Sequence, residues 1–482
     1  MRSLRKSAIS GVKWTTGSTL VVSLLSLFQL AVLARLLRPS EFGLMAMAMV
    51  VIGFAQTYAD MGISAAIVHR QSISREHLSS LYWLNICAGS VVFVLVCALS
   101  PLAVLFFHEP LLYRLLPLAA VSFLVASAGQ QFSWLLEKDL SFNALAKIEV
   151  SAGAAGTMTA VVAALLGQGV WSLVWGQLTS AAAKTLLLIR AGWRRWPPML
   201  HFRRNDLRGY LGFGLYQMGE RSINYFNYRV DQLLVGNLLG AQELGYYNFA
   251  FSLVMLPVSS INPVLTRVAF PVFARIQDDV PGLRQSYLKM MSLLSTVNAP
   301  LLFGLAAVAP LVIPLFFGPQ WIPAVLLVQV LAVYAFVRST GNPVGSLLLA
   351  KGRVDLGFRW NLALLFTTAP VVYAGSRLGG AAGIAVALVL LILCYAVANY
   401  FFLVRALVGP CAKPYSIAIL KPATLATAMG GIVLSMSLAG GQSVTWLAAE
   451  VAAGAAVYMT LLWFSDRALV FEVKEMLLGA GS

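Results

Sequence analysis

Apolar residues run along this chain in long unbroken stretches, separated by short polar interruptions, from one end to the other. About fourteen of these runs are long enough to cross a hydrocarbon core ~30 Å thick. They are centred near residues 24, 53, 93, 125, 155, 179, 224, 256, 302, 335, 365, 392, 428 and 455. The spacing, one helix plus a short connection, leaves no room for a soluble domain. Backbone groups in lipid must be satisfied within the spanning structure, so the runs predict helices. Stretches such as Leu378–Val397 show none of the alternation that a β-barrel needs. Composition agrees with the pattern: 11% of the residues are charged, against about 25% in a soluble chain. The expected fold is all-α and integral to the membrane, with about 14 transmembrane helices.

Arg2, Arg5 and Lys6 precede the first run, as in a signal peptide, but no small-residue cleavage site follows it. The chain continues through Arg35-Leu-Leu-Arg38-Pro39 into the second run, so the first is expected to be a retained helix.

The net charge of +16 would suit a nucleic-acid binder, but its distribution argues otherwise. With the loops numbered in order, most Lys and Arg fall in the even loops and the two ends. The odd loops hold only Arg35, Arg38, Arg114 and Arg377. That is positive-inside asymmetry, which predicts both termini cytoplasmic and an even number of spans. The densest cluster is Arg190, Arg194, Arg195, Arg203, Arg204 and Arg208, between the sixth and seventh spans. It is expected to anchor topology and meet anionic lipid headgroups. Cys87, Cys97, Cys394 and Cys411 form no metal-type spacing, and the four histidines are scattered, so no metal site is expected. No P-loop is present, which leaves ATP hydrolysis without support, and no cofactor is expected.

The chain also repeats itself. Leu36-Leu37-x-x-x-Glu41-Phe42-Gly43 recurs as Leu238-Leu239-x-x-x-Glu243-Leu244-Gly245, an offset of 202 that also superposes Gly17 on Gly219 and Ala48 on Ala250. Further on, Leu135-Leu136-x-Lys138 matches Leu348-Leu349-x-Lys351. Six spans separate the copies, which predicts two parallel six-helix lobes around a central cleft, with two extra C-terminal helices. The expected divisions are 1–195, 196–410 and 411–482.

The seventh span is too polar to face lipid. It carries Glu220, Arg221, Arg229 and Asp231 among Gln217, Asn224 and Tyr228. Each central charge would cost ~2.5–3.5 kcal/mol in hydrocarbon. At 100° per residue, Gln217, Glu220, Arg221, Asn224, Tyr228 and Asp231 share one face, and Arg229 lies off it. The charges are one or two residues apart, not three or four, so their partners are expected to be other helices, water or a substrate. The repeat maps this stripe onto Thr15, Ser18, Thr19, Val22, Ser26 and Gln29 of the first span, which is polar but uncharged. An arginine in a wet cleft suits a phosphate, because its fork binds oxygens in pairs and stays protonated. Glu220, Asp60 and Asp231 are candidates for carrying a coupling proton or sodium ion. Asp60, Glu149, Lys184, Arg267, Arg338 and Glu450 otherwise read as buried pairs or snorkelling side chains.

Several motifs carry a family resemblance. Leu33-Ala34-Arg35-Leu36-Leu37-Arg38-Pro39-Ser40-Glu41-Phe42-Gly43 resembles the signature of bacterial polysaccharide-unit flippases. These belong to the multidrug/oligosaccharidyl-lipid/polysaccharide exporter superfamily. Asp60-Met61-Gly62, Gly167-x-Gly169-Val170-Trp171-Ser172-Leu173 and Asp231-Gln232-x-Leu-Val235-Gly236 are similar to its colanic-acid exporter branch. Pro271-Val272-Phe273-Ala274-Arg275 and Gly318-x-x-Trp321-x-Pro323 extend the match along nearly the whole chain. The resemblance implies a non-enzymatic flippase in the bacterial inner membrane. It would move an undecaprenyl-pyrophosphate-linked oligosaccharide from the cytoplasmic to the periplasmic leaflet, for exopolysaccharide or lipopolysaccharide synthesis. It also implies alternating access driven by H+ or Na+, and polymerase and glycosyltransferase neighbours. Arg221, Arg229, Arg267 and Arg338, with Asn224 and Tyr228, are the implied substrate contacts.

Two alternatives compete with this reading. One is a multidrug or peptidoglycan-precursor exporter of the same superfamily. The other is a membrane-embedded glycan polymerase or ligase. Against that enzyme stand the short odd loops, such as Leu166–Gly169, and the lack of a periplasmic carboxylate pair for acid–base chemistry.

Overall fold

A computed structural model describes residues 2–59, 74–203, 211–441 and 443–467. Among them the regular structure is helical throughout, as the apolar runs require. In chain order the helices are α1 (Arg2–Leu36), α2 (Pro39–Ala59), α3 (Arg75–Phe107), α4 (Leu112–Lys138), α5 (Phe142–Leu165) and α6 (Val170–Gly192). Then come α7 (Leu211–Arg275), α8 (Val280–Val312), α9 (Ala324–Thr340), α10 (Asn342–Ala350), α11 (Val354–Asn399), α12 (Ala412–Ala439) and α13 (Val444–Ser465). Polar side chains start several of them. Ser74 Oγ accepts from the His77 amide at 3.3 Å, and Ser443 Oγ from the Trp446 amide at 3.1 Å. At the start of α2, Pro39 occupies the first turn and Glu41 Oε2 reaches back to the Arg38 amide at 2.7 Å, the reciprocal half of a capping box.

Eleven helices among the described residues are long and apolar enough to cross a membrane. This is fewer than the fourteen expected. The two longest, of 54 and 40 residues, would run ~80 and ~60 Å as straight helices. Each is broken by glycine. Gly240 (φ 83°) interrupts α7, and Gly380 (φ 57°), after Gly379, interrupts α11. Positive φ is open to glycine at little cost, so the chain turns at these points. In α11 a β-carbon on Gly375 would lie 2.9 Å from Ala387 Cβ, residues ~18 Å apart along a straight helix. The two halves of α11 are therefore doubled back on one another. Gly379 and Gly380 thus lie in the turn, and Gly375 and Gly383 make the close approach between the two halves. α6, 23 residues long and carrying Lys184, is not among the eleven.

The helices form two compact units, Met1–Gly245 and Tyr246–Ser482. In the first, Tyr82, Phe132, Leu136, Leu145, Ile148 and Leu188 make one buried apolar cluster. Gly156 of α5 lies against the Gly176 carbonyl and Ser180 of α6, the close backbone approach that small residues permit in a membrane. In the second unit, Trp321 is fully buried and stacks on Phe249 with ring centroids 4.2 Å apart. A separate core there gathers Phe273, Tyr287, Met291, Leu347, Tyr400 and Val404.

The repeat is visible at one contact inside the first unit. A β-carbon on Gly43 would collide with the Ala241 carbonyl oxygen, and one on Gly245 with the Pro39 carbonyl oxygen. Gly43 and Gly245 correspond across the 202-residue offset, and so do Pro39 and Ala241. The two copies touch reciprocally, each glycine against the other's helix start.

Candidate functional site

The 211–239 half of α7 is brought against α2 by hydrogen bonds and aromatic rings. Tyr225 OH donates to the Val50 carbonyl at 2.8 Å, and Tyr58 OH lies 2.8 Å from Ser222 Oγ. Phe54 of α2 sits among Tyr58, Tyr225 and Phe226, at centroid distances of 5.3, 6.0 and 4.9 Å. Gly53 leaves room for the Tyr225 ring: a β-carbon there would lie 2.5 Å from its hydroxyl. This packing fixes the rotation of the polar helix about its own axis.

The stripe expected along that helix is not uniform. Asp231 is buried, at 5% exposure, and its Oδ1 accepts the Gln232 amide at 2.8 Å. Asn224 is half-buried, whereas Tyr228 is 57% exposed. Along the stripe Asp231 is thus packed inside the unit, while Tyr228, one turn before it, is open. Arg229, off the stripe, is half-buried and donates to Gln232 Oε1 at 2.6 Å. It also hydrogen-bonds the Tyr225 side chain. These partners lie three ahead and four behind on the same helix, the spacing at which side chains meet. The expectation that partners come only from elsewhere therefore fails for Arg229. Its partners are neutral, and no carboxylate among the described residues forms an ion pair with it.

Arg338 belongs to the second unit, on α9. Its guanidinium donates to Tyr334 OH at 2.8 Å and lies over the Tyr334 ring, 5.6 Å from the centroid. Below it Ser339 and Asn262 are buried, Asn262 donating to the Ser339 carbonyl at 3.2 Å and accepting from Asn298 at 2.8 Å. The side chains of Glu220, Arg221 and Arg267, and the whole of Asp60, lie outside the described residues. Lys184 and Glu149 pair at 3.7 Å across α6 and α5, half-exposed rather than buried. Glu450 is fully buried in α13.

Sequence reasoning missed the aromatic group of Phe54, Tyr58, Tyr225 and Phe226, because aromatic residues are common in apolar spans and carry no periodic signal here. It also missed Gln232 and Tyr334, which the three- and four-residue spacings to Arg229 and Arg338 could have shown. Among the described residues no cluster of three or more His, Cys, Asp or Glu could hold a metal.

Many long apolar helices, two of them broken at glycine, mark a multi-pass membrane protein. The family model "Polysaccharide biosynthesis protein" matches residues 32–326, so the chain belongs to that family of polysaccharide transporters within the multidrug/oligosaccharidyl-lipid/polysaccharide exporter superfamily. It is 36% identical over 420 residues to the lipopolysaccharide biosynthesis protein WzxC of Escherichia coli (strain K12), covering 87% of this chain and 85% of that one. It is 34% identical over 469 residues to the teichuronic acid biosynthesis protein TuaB of Bacillus subtilis (strain 168), covering 96% of each. Among solved structures it resembles the lipid II flippase MurJ in an inward closed conformation, with a TM-score of 0.77 at 13% identity over 95% of this chain and 100% of that one. This last likeness is one of fold. The chain stands with transporters rather than with enzymes.

Proposed function

We propose that this protein flips a polyprenyl-pyrophosphate-linked oligosaccharide repeat unit across the bacterial inner membrane, from the cytoplasmic to the periplasmic leaflet. The observation that carries the reading is Arg229. It is a half-buried guanidinium held by neutral oxygens on a helix that is otherwise polar along one face. A cation whose partners among the described residues are neutral, in a low-dielectric setting, favours an anionic ligand, and paired phosphate oxygens match its fork. The names of the relatives, in lipopolysaccharide and teichuronic acid synthesis, support a glycan cargo. On this reading the chain has fourteen spans with both ends in the cytoplasm, in lobes of 1–195 and 196–410 followed by 411–482. Arg221, Arg229, Arg267 and Arg338, with Asn224 and Tyr228, meet the substrate. Glu220, Asp60 or Asp231 carries a proton or sodium ion.

The test is made in cells that produce the polymer. Arg229→Ala and Arg221→Ala should each accumulate lipid-linked repeat units on the cytoplasmic side while membrane levels of the protein stay normal. Loss of protein in place of loss of transport would assign these residues to structure. Reconstituted vesicles that move cationic drugs or a peptidoglycan precursor, but not lipid-linked oligosaccharide, would overturn the substrate.

A further inference from the structure

The chain leaving α6 does not hang free. Arg195 and Trp196 amides both close back on the Gly192 carbonyl, at 3.0 and 2.9 Å. Trp196 then packs on the apolar cluster around Phe132 and Leu188. Pro197 and Pro198 stiffen the turn into the next stretch, since each fixes φ. Residues 199–203 are pinned to the start of α3. Trp83 Nε1 donates to the Met199 carbonyl at 2.9 Å, the Met199 amide donates to Ser79 Oγ at 2.9 Å, and the Arg203 amide donates to Ser80 Oγ at 3.1 Å.

The depth of this strap is set by its anchors. The last charged or imidazole side chains at the start of α3 are Arg75, Glu76 and His77, and the mainly apolar, uncharged stretch begins just beyond Ser80. Ser79, Ser80 and Trp83 therefore mark the boundary between the polar end of a membrane span and its hydrocarbon stretch, the level at which tryptophan gathers in membrane proteins. At that level the strap turns apolar side chains outward: Leu200 is 95% exposed, Phe202 57%, Trp193 47% and Met199 40%. Interleaved with them are Arg194, Arg195 and Arg203, all exposed. Arg195 faces Asp139 at 3.8 Å, a surface pair of little worth, and neither Arg194 nor Arg203 forms an ion pair with a described residue. Exposed leucine and phenylalanine beside exposed arginine is a poor surface for water. It is a good one for the zone where acyl chains meet phosphates.

We propose that residues 193–203 form an interfacial clamp that binds anionic phospholipid headgroups, with Leu200 and Phe202 entering the acyl boundary and Arg194, Arg195 and Arg203 meeting the phosphates. The clamp is preformed by its hydrogen bonds and its prolines, so little ordering cost opposes binding. It stands independently of what the protein transports.

The test uses the full-length protein in nanodiscs of phosphatidylcholine, with or without phosphatidylglycerol, read by hydrogen–deuterium exchange. Amides of residues 199–203 should exchange more slowly in the anionic discs, and added salt should erode that difference as screening shortens the reach of the charges. Arg194→Gln, Arg195→Gln and Arg203→Gln together should abolish it. In native mass spectrometry each single substitution should reduce retained phosphatidylglycerol about fivefold. Leu200→Gln with Phe202→Gln should remove the protection that survives high salt. Equal exchange in the two lipids would overturn the proposal. So would full protection by inorganic pyrophosphate in phosphatidylcholine discs, which would mean a soluble-anion site. The salt titration on the unmodified protein decides the matter even if the triple variant fails to fold.

Discussion

Within the first unit two helices occupy matching places in the repeat and solve the same problem differently. α1 carries hydroxyls that turn back on their own helix. Ser18 Oγ and Thr19 Oγ1 donate to the Thr15 carbonyl at 3.0 and 2.8 Å, and Ser26 Oγ to the Val22 carbonyl at 2.9 Å. Gln29 reaches out instead, its Oε1 accepting from Thr157 of α5 at 2.8 Å. The 211–239 half of α7 instead bonds to α2 through Tyr225 and Ser222, and places Asp231 and Arg229 inside the unit. A hydroxyl in a membrane helix satisfies itself locally, so a polar face made of Ser and Thr costs little and commits to nothing. A charge can find neutral local partners, as Arg229 does in Gln232 and Tyr225, but such bonds leave it uncompensated and costly in a membrane span. The same polar periodicity therefore means solvation economy in one copy and a chemical commitment in the other.

The largest test of that contrast is Arg229→Ala. Transport should fall roughly tenfold to hundredfold, the worth of a hydrogen bond to a charged group at ~1.5–3 kcal/mol. A rate unchanged in a cellular export assay would break the comparison outright. Next comes Asp231→Leu, which removes the buried acceptor of the Gln232 amide and should lower stability by ~1–3 kcal/mol in detergent unfolding. Tyr225→Phe and Thr157→Val each remove one hydrogen bond between helices, and each should cost ~0.6 kcal/mol, the average for such bonds in a membrane. A much larger loss for Thr157→Val would mean that α1 is also committed. Smallest is Ser26→Ala, expected to stay within ~0.5 kcal/mol of the parent by the same unfolding measurement.

Much of this was legible in the chain. The apolar runs gave the helices, and the 202-residue offset paired Gly43 with Gly245 before any contact was visible. Periodicity placed Asn224, Tyr228 and Asp231 on one face, because azimuth around a helix depends only on residue number. It could not say that Asp231 is packed and Tyr228 open, because burial depends on which neighbour arrives at each level. For the same reason Tyr225, off the stripe, went unnoticed although it holds the helix to α2. Gly379 illustrates a different limit: glycine at four-residue spacing serves either close packing or a break, and only the backbone angles of the folded chain tell which.

The reciprocal meeting of Gly43 with Ala241 and of Gly245 with Pro39 has one more consequence. It has the form of an isologous interface, the kind that two identical subunits make across a two-fold axis, here written into a single chain. In a true dimer one substitution alters both sides at once. Here the two sides are separate codons, and the contact can be made asymmetric one half at a time. An alanine at one glycine would open the contact for both, so a second alanine at the other should add little to the first.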